Sequence, residues 1–239
     1  MRETGEANDG VFVVLEGIDG SGTTTQAARW AAHLRARRRL VHVTHEPSGG
    51  PIGAQIRLVL KNRLTLPATH QPEVMALLFA ADRLDHVESE IAPHLRDGYV
   101  VISDRYDLSS LAYQSITAGA AGDASPSGPS SQPSGHAAST IAWIRTLNRF
   151  ARRPDVTVVL DVSPDVAAAR RRARGGAAEL FDDADLQARL AVAYLGAEHL
   201  VPGDRVIHVD GDADEGVVAA AVSAALEPFV SSRTRPDLR

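Results

Sequence analysis

The length of the chain, 239 residues, suits one compact α/β domain or two small ones. Its net charge of −5 argues against general binding to polymeric nucleic acid or to a membrane surface, and the absence of cysteine excludes disulfides and thiolate metal sites. No apolar run approaches the length of a membrane span, and the polar, acidic first ten residues do not resemble a signal peptide. We therefore expect a cytoplasmic protein.

Five segments have the composition of buried strands, because they are largely apolar and rich in β-branched residues. Helical patterns lie between them. One helix is predicted from Thr24 to about Arg37, a second has Pro51 in its first turn, and the clearest extends from Glu73 to about Leu95. The predicted strands are Val11–Leu15, Val41–His45, Tyr99–Ser103, Val156–Asp161 and Arg205–Val209.

The alternation of strands and helices predicts right-handed βαβ units and a parallel sheet with helices on both faces. We expect an α/β fold, a three-layer α/β/α sandwich of the P-loop NTPase type with a mainly parallel sheet of about five strands. The expected domain spans residues 11–229, between tails at 1–10 and 230–239. Residues 117–139 are rich in Ser, Pro and Gly and have little to bury, which predicts a flexible insertion.

A glycine-rich turn, G-I-D-G-S-G-T-T at 17–24, follows the first predicted strand. Its spacing matches the phosphate-binding P-loop, G-x-x-x-x-G-K-[ST], except that Thr23 stands at the lysine position. Backbone N–H groups of such a loop bind phosphate oxygens, and the Thr24 hydroxyl would bind Mg²⁺. The alternative is an ordinary strand-to-helix turn, which the missing lysine favours. The residues expected to bind the ATP phosphates are Gly17, Ile18, Asp19, Gly20, Ser21, Gly22, Thr23 and Thr24.

Two charged residues, Asp104 and Arg105, follow the predicted strand Tyr99–Ser103. Functional groups in open α/β sheets gather at the carboxyl ends of the strands. At such a position Asp104 would hold Mg²⁺ directly or through water, and Arg105 would bind a phosphate through two hydrogen bonds. A surface ion pair between the two residues is the alternative.

Phe79 and Arg83 lie one helical turn apart and therefore share a face of the predicted helix. A flat ring beside a fork-shaped donor suits a nucleobase, which would stack on the phenylalanine and accept hydrogen bonds from the arginine. A core phenylalanine with an arginine that extends to solvent is the commoner arrangement and stays an alternative.

Four arginines at 170–174 precede two glycines. A mobile cationic lid over transferring phosphates has this composition. A solvated helix end, where cations interact favourably with the helix dipole, has it as well, so composition does not decide between the two. The four residues are Arg170, Arg171, Arg172 and Arg174.

Taken together, these motifs resemble the bacterial type of the thymidylate kinase family, P-loop enzymes that phosphorylate dTMP. The resemblance covers most of residues 11–225, and the segment 170–183 corresponds to the family's lid. The stretches that carry it are L-E-G-I-D-G-S-G at 15–22, H-E-P-S-G-G-P-I-G at 45–53, L-L-F-A-A-D-R at 77–83, S-D-R-Y-D-L-S-S-L-A-Y-Q at 103–114 and R-R-R-A-R-G at 170–175.

The resemblance implies transfer of the γ-phosphoryl group of ATP to dTMP, with Mg²⁺, to give dTDP for dTTP synthesis. It also implies a homodimer. Phe79 would stack on thymine, Arg83 would bond a thymine carbonyl, and Tyr113 would crowd the 2′ position of the sugar. The implied catalytic residues are Asp19, Arg105, Arg170, Arg172 and Arg174; the implied substrate-binding residues are Glu46, Arg57, Phe79, Arg83, Arg105, Ser110, Tyr113 and Gln114; the implied metal ligands are Thr24 and Asp104.

The chain departs from the family pattern at three places. Thr23 replaces the P-loop lysine, E-P-S-G-G-P at 46–51 replaces E-P-G-G-T-P, and the insertion at 117–139 replaces a segment containing Gly and Arg. The acceptor side is therefore closer to the family than the ATP side. Two other functions stay open: a nucleotide-binding homologue with impaired catalysis, and a kinase for another deoxynucleotide. The expected partners are small molecules, with no polymeric nucleic acid and no membrane.

Overall fold

The computed structural model describes residues 10–122, 135–175, 181 and 183–231. Most of both expected tails, residues 1–9 and 232–239, lies outside the described residues, and so do 123–134 of the predicted insertion. None of the helices in the described part of the chain has the length and apolar character that crossing a membrane requires.

The strands form one parallel sheet in the order β2-β3-β1-β4-β5, which confirms the predicted fold class. Each strand begins and ends within one residue of its predicted bounds. The central strand β1 pairs with β3 on one side and with β4 on the other. The strands are β1 (Val11–Glu16), β2 (Val41–His45), β3 (Val100–Asp104), β4 (Val156–Asp161) and β5 (Val206–Asp210).

Helices connect the strands and cover the sheet. The α-helices in the described residues are α1 (Thr23–Ala36), α2 (Pro51–Leu60), α3 (Gln71–His86), α4 (Ala92–Arg96), α5 (Asp107–Gly122), α6 (Gly135–Leu147), α7 (Pro164–Arg174), α8 (Ala184–Leu195), α9 (Ala197–Leu200) and α10 (Glu215–Ser231). A single 3₁₀ turn at Ala68–His70 leads into α3.

Two segments differ from the sequence prediction. The long helix expected between Glu73 and Leu95 is present as a continuous helical stretch from Gln71 to Arg96, but a π-helical turn at Val87–Ile91 lies between its α-helical parts α3 and α4. Helices α5 and α6 extend into both ends of the predicted insertion. Alanine-rich sequence continues α5 to Gly122, and α6 begins at Gly135, so both described ends of the predicted insertion are helical.

Both faces of the sheet are buried, as expected for parallel strands between helices. Alternate residues of β1 serve different sides of the sheet: Val13 and Leu15 pack in a large cluster with Trp30 of α1, whereas Phe12 and Val14 pack in a separate cluster near the π-helical turn. All six residues of β1 are buried. The buried central strand β1 therefore leads directly into the P-loop.

The carboxyl ends of β1 and β3 lie side by side, since Leu15 pairs with Asp104. The chain leaves β1 toward β2 on one side of the sheet, while β4 lies on the other. Such a reversal of strand order opens a crevice at the carboxyl ends of the strands, where ligands bind in open α/β sheets.

Candidate active site

The P-loop passes close to α7, and glycine permits this approach. Gly20 has a φ of 92°, and a Cβ atom placed on it would lie 2.5 Å from the carbonyl oxygen of Ala167. Gly22, at the N-cap of α1, has a φ of 97°. The loop therefore lies directly beneath the helix that carries the arginine cluster.

A cavity of about 510 Å³ lies over the P-loop. Backbone N–H groups at the start of α1 and guanidinium groups from α7 share this cavity, and both donate hydrogen bonds to phosphate oxygens. The cavity therefore suits a polyanion such as a nucleoside triphosphate. Its lining consists of residues 18–26, Asp104, Arg105, Arg170, Arg171, Arg174, residues 211–215 and Val218.

Two arginines of α7 are anchored to the P-loop by its own carbonyl groups. Arg170 donates to the carbonyl oxygens of Ser21, at 3.4 Å, and Ala213, at 3.3 Å. Arg171 donates to the carbonyl oxygen of Asp19. These bonds hold two guanidinium groups at the edge of the phosphate cavity rather than in solvent.

Thr23 is buried and lines the same cavity, but it offers a hydroxyl group and no charge. Arg174 lines the cavity as well, whereas Arg172 does not. Besides Arg105 from the end of β3, the positive charge of this cavity comes from α7 and not from the loop itself.

The side chains of Thr24 and Asp104 meet at the cavity, where the Thr24 hydroxyl donates to Asp104 Oδ2. The other oxygen, Asp104 Oδ1, is buried and has no hydrogen-bond partner among the described residues. Mg²⁺ in nucleotide kinases uses one or two protein oxygens together with phosphate oxygens. A hydroxyl group beside an unpartnered carboxylate oxygen fits this requirement. Across the described segments no cluster of three acidic or histidine residues could hold a metal alone, so phosphate oxygens would complete the shell.

A second, smaller cavity of about 170 Å³ lies between α3, α5 and the P-loop. Its walls are more apolar than those of the first cavity, with a few buried polar groups, as is usual for sites that bind an aromatic base. The lining residues are Asp19, Glu46, Pro47, Leu60, Phe79, Arg83, Arg105, Tyr106, Ser109, Ser110, Tyr113, Gln114 and Phe181.

Arg83 is held rigidly at the wall of the smaller cavity. Its side chain is only 1% exposed, and Glu46 Oε2 accepts from its Nε at 3.0 Å and from its Nη2 at 2.6 Å. Asn148 Oδ1 accepts from Nη1 at 2.5 Å, and Ser110 Oγ accepts at 3.1 Å. Burial favours the neutral form, but the charges of Glu46 and Asp107, the Tyr106 hydroxyl and the hydrogen bonds to Glu46 together outweigh it and raise the pKa of Arg83, so the guanidinium stays charged.

Aromatic side chains surround the same cavity. Phe79 is half-buried, packs beside the Ile56 cluster and lines the cavity, so it lies neither in the central core nor far from Arg105. The Tyr113 ring meets Phe181 edge-on, with centroids 5.3 Å apart, and the guanidinium carbon of Arg105 lies 5.4 Å from the Tyr113 ring centre.

The structure brings most of the predicted acceptor residues to this cavity, Ser110 and Gln114 included, but not Arg57. Arg57 lies in the last turn of α2 and donates to the carbonyl oxygens of Pro47, at 3.0 Å, and Ser48. Its predicted contact with the dTMP phosphate stays a prediction, since it requires the guanidinium to leave these carbonyl groups.

The two cavities share Asp19 and Arg105, which line both. Arg105 Nη2 pairs with Asp19 Oδ1 at 2.5 Å. Gln187 of α8 holds Asp19 from the other side, since its Nε2 donates to Asp19 Oδ2 at 3.1 Å and its Oε1 accepts from the Asp19 N–H. A phosphate bound at Arg105 would therefore face the phosphates bound at the P-loop.

Sequence reasoning missed four buried residues that organise the site. Glu16 ends β1 and accepts hydrogen bonds from the start of α5, and Tyr194 of α8 donates to it at 3.1 Å. A charged residue at the end of an apolar strand, directly before a P-loop, is a signal that the sequence carried. Gln187 and Asn148 reach the site from remote helices, so neighbouring sequence gave no indication of them.

The sheet order, the loop after β1 and two cavities that meet at an arginine define a P-loop kinase for small phosphorylated acceptors. The family model for thymidylate kinase matches residues 15–126. The chain also matches curated relatives over nearly its whole length, and it belongs to the thymidylate kinase family.

Relatives of both archaeal and bacterial origin match the chain. A protein of Pyrobaculum calidifontis named probable thymidylate kinase is 40% identical over 225 residues, which is 94% of this chain and 100% of the relative. Thymidylate kinases of Dinoroseobacter shibae and Xanthomonas oryzae pv. oryzae are 36% and 35% identical. These two matches cover 91% and 95% of this chain, and 96% and 89% of the relatives.

Proposed function

We propose that the protein is a thymidylate kinase that transfers the γ-phosphoryl group of ATP to dTMP. The observation that carries this proposal is the junction of the two cavities at Asp19 and Arg105. In the reaction a phosphate oxygen of dTMP forms a bond to the γ-phosphorus, while the bond to the β,γ-bridging oxygen breaks and ADP leaves. The products are ADP and dTDP, and dTDP supplies dTTP synthesis.

The acceptor pocket supplies orientation. The ring of Phe79 would stack on thymine, and Arg83 would donate to a thymine carbonyl from the position that Glu46 and Asn148 hold. Tyr113 would stand against the sugar and favour deoxyribose. Ser110 and Gln114 line the same pocket and would bond the base edge, and Arg105 would bind the phosphate. No strong general base is required, since the attacking atom is already a phosphate oxygen.

The donor side neutralises charge. Phosphoryl transfer depends on positioning and on electrostatic stabilisation of the equatorial oxygens. With threonine at position 23, we assign this role to the arginines of α7 that line the phosphate cavity, Arg170, Arg171 and Arg174. Arg172 also belongs to the predicted cluster, but it does not line the phosphate cavity, so its position does not support this role.

We propose that Thr24 and Asp104 hold Mg²⁺ at the phosphate cavity, on the grounds of the unpartnered Asp104 oxygen. When bound, the ion supplies positive charge to the β- and γ-phosphate oxygens of ATP. The protein's own contribution is to place the Thr24 hydroxyl at the start of α1 next to the Asp104 carboxylate at the end of β3, where both line the same cavity.

A nucleotide-binding homologue with impaired catalysis is the second candidate, and Thr23 is the observation that favours it. Release of ADP in the presence of ATP, Mg²⁺ and dTMP separates the two functions. We expect steady turnover by the unaltered protein, at a rate that Thr23→Lys changes without altering the affinity for dTMP. An inactive protein that Thr23→Lys activates would support the impaired homologue.

Two further features of the protein rest on the family resemblance. We propose a homodimer of the single domain 11–229. We also propose the bacterial type, with catalytic arginines in the lid at 170–183, although archaeal relatives match the chain as well. Sedimentation equilibrium measures the first, and the arginine substitutions described in the Discussion test the second. The cytoplasmic location stays a prediction of the sequence.

A further inference from the structure

A buried carboxylate stands directly behind the P-loop, outside both cavities. Glu16 is the last residue of β1, immediately before Gly17, and its side chain is fully buried. A carboxylate in such a place is costly unless several donors satisfy it. The groups that donate hydrogen bonds to Glu16 therefore indicate its role.

Each carboxylate oxygen of Glu16 accepts two hydrogen bonds. Oε1 accepts from the backbone N–H group of Tyr106 at 2.8 Å, directly before α5, and from that of Ser109 at 3.2 Å, in the first turn of α5. Oε2 accepts from the Ser109 hydroxyl at 2.6 Å and from the Tyr194 hydroxyl at 3.1 Å. The carboxylate thus fixes the start of α5 and directs two hydroxyl protons toward itself.

The direction of these protons determines what Arg105 encounters. A hydroxyl group has one proton and two lone pairs, so Ser109 and Tyr194, once they donate to Glu16, offer only lone pairs elsewhere. Arg105 Nη1 donates to both oxygens, at 3.0 Å to Ser109 and 3.3 Å to Tyr194. Its Nη2 pairs with Asp19. The guanidinium is therefore held at both ends, and one end depends on Glu16 through two neutral hydroxyl groups.

We propose that Glu16 is a positioning residue for the acceptor phosphate: its ionised carboxylate, acting through Ser109 and Tyr194, sets the orientation of Arg105. The inference rests on the proposed function, because it takes Arg105 as the residue that binds the dTMP phosphate. Glu16 itself lies behind Arg105 and does not line either cavity.

The charge of Glu16 changes near neutral pH. Burial raises the pKa of Glu16 to about 7, against the opposing effects of Arg105 and of the hydrogen bonds from Ser109 and Tyr106. The charged and titratable groups that act on it are Arg105, directly after β3, and Tyr194 from α8. Burial raises the pKa of Tyr194, so that phenol stays neutral in this range.

Protonation of Glu16 removes the negative charge that stands behind Arg105. The hydroxyl pattern itself survives, because the Ser109 and Tyr194 oxygens lie 3.0 Å apart and can donate in a ring with the neutral carboxyl group. What Arg105 loses as the pH falls through about 7 is the attraction of the Glu16 carboxylate, so its guanidinium is held less firmly. The affinity for the acceptor phosphate should fall with it.

The test compares Glu16→Gln, which is neutral at every pH, with the unaltered protein between pH 6 and 8.5. At pH 8.5 we expect kcat/KM for dTMP to be about tenfold lower in Glu16→Gln, mainly through KM, since hydrogen bonds to charged groups are the stronger ones. At pH 6 the two proteins should agree within about twofold. The second ionisation of the nucleotide phosphate, with a pKa of about 6, affects both proteins alike and cancels in the ratio. Glu88→Gln, at an exposed position, is the matched control and should leave the ratio at about one.

The relay is tested separately by the double variant Ser109→Ala with Tyr194→Phe, which keeps Glu16 and removes both hydroxyl groups. It should reproduce the loss of Glu16→Gln at pH 8.5, and adding Glu16→Gln to it should cause little further loss. This variant also decides the matter if Glu16→Gln fails to fold. A ratio that stays constant with pH, or independent losses that multiply, would overturn the proposal and leave Glu16 a purely structural residue.

Calorimetric binding of dTMP over the same pH series distinguishes failure of this inference from failure of the proposed function. A protein that binds dTMP with the Glu16-dependent pH profile but does not turn over would contradict the kinase activity alone. A protein that turns over with a profile indifferent to Glu16→Gln would contradict the positioning role alone. A protein that does not bind dTMP at all would contradict both.

Discussion

Substitution of Glu46 by glutamine should disturb both stability and acceptor binding, because Glu46 compensates a buried arginine. The side chains of Glu46 and Arg83 are 2% and 1% exposed, and two hydrogen bonds join them. Removing one member of a buried ion pair leaves the other charge uncompensated and costs about 3–5 kcal/mol. In a domain of this size 1 kcal/mol shifts the Tm by about 2–4 °C. Glu46→Gln should therefore lower the Tm by roughly 6–20 °C.

Circular dichroism melting of Glu46→Gln measures this shift, and dTMP binding by the variant below its Tm measures the loss at the acceptor site. The double variant Glu46→Gln with Arg83→Met removes both charges, so it should regain much of the lost stability without regaining dTMP affinity. Glu227→Gln breaks only the exposed pair with Arg37 and serves as the control, with an expected Tm change below about 2 °C. A Tm for Glu46→Gln within 2 °C of the unaltered protein, with unchanged dTMP affinity, would refute this reasoning.

Two further predictions concern the two cavities. Replacing Arg170, Arg171 and Arg174 together by glutamine should lower kcat by about 10³-fold or more while raising the KM for dTMP far less, since the lost charge acts in the transition state. Arg172 does not line the cavity, so Arg172→Gln should have a much smaller effect on kcat in the same steady-state assay. Equal effects on kcat would contradict the assignment of the charge to the three cavity arginines. Phe79→Ala should weaken dTMP binding by about 1–3 kcal/mol if the ring stacks on the base, as calorimetry would show, and an unchanged affinity would place the base elsewhere.

The sheet was predictable because its information is local. Residues Val11–Leu15, for example, are apolar throughout, and this composition is typical of a strand that is buried on both faces. The π-helical turn after His86 was not predictable, since the i, i+4 spacing of Val87 and Ile91 fits an uninterrupted α-helix equally well. Residues 117–122 were assigned to the flexible insertion because they contain glycines, but their alanines favour a helix and α5 continues to Gly122.

The candidate site was predictable where a side chain belongs to a short motif. Asp19, Thr24 and Arg105 follow strand ends, and parallel strands bring their carboxyl ends together at one edge of the sheet. Residues that reach the site from remote helices, Asn148 and Gln187, carry no local signal, since their roles depend on how α6 and α8 pack.

The position of the arginine cluster shows the same division between local and tertiary information. The sequence located the cluster but not the direction of its side chains. The structure places Arg171 over the P-loop, close to Gly20, and leaves Arg172 outside the cavity. The rotation of α7 about its axis determines which arginines face the cavity, and no short motif encodes that rotation.

The central claim is that this site phosphorylates dTMP in preference to other monophosphates. Steady-state kcat/KM with saturating ATP and Mg²⁺ should be measured for dTMP, dUMP, dCMP, dGMP and the ribose analogue of dTMP. The account predicts the highest value for dTMP, a lower one for the ribose analogue because Tyr113 would stand against the sugar, and little turnover of purine monophosphates, whose larger base would have to fit beside Phe79 and Arg83. Equal or higher kcat/KM with another monophosphate, or no ADP release with any of them, would contradict it.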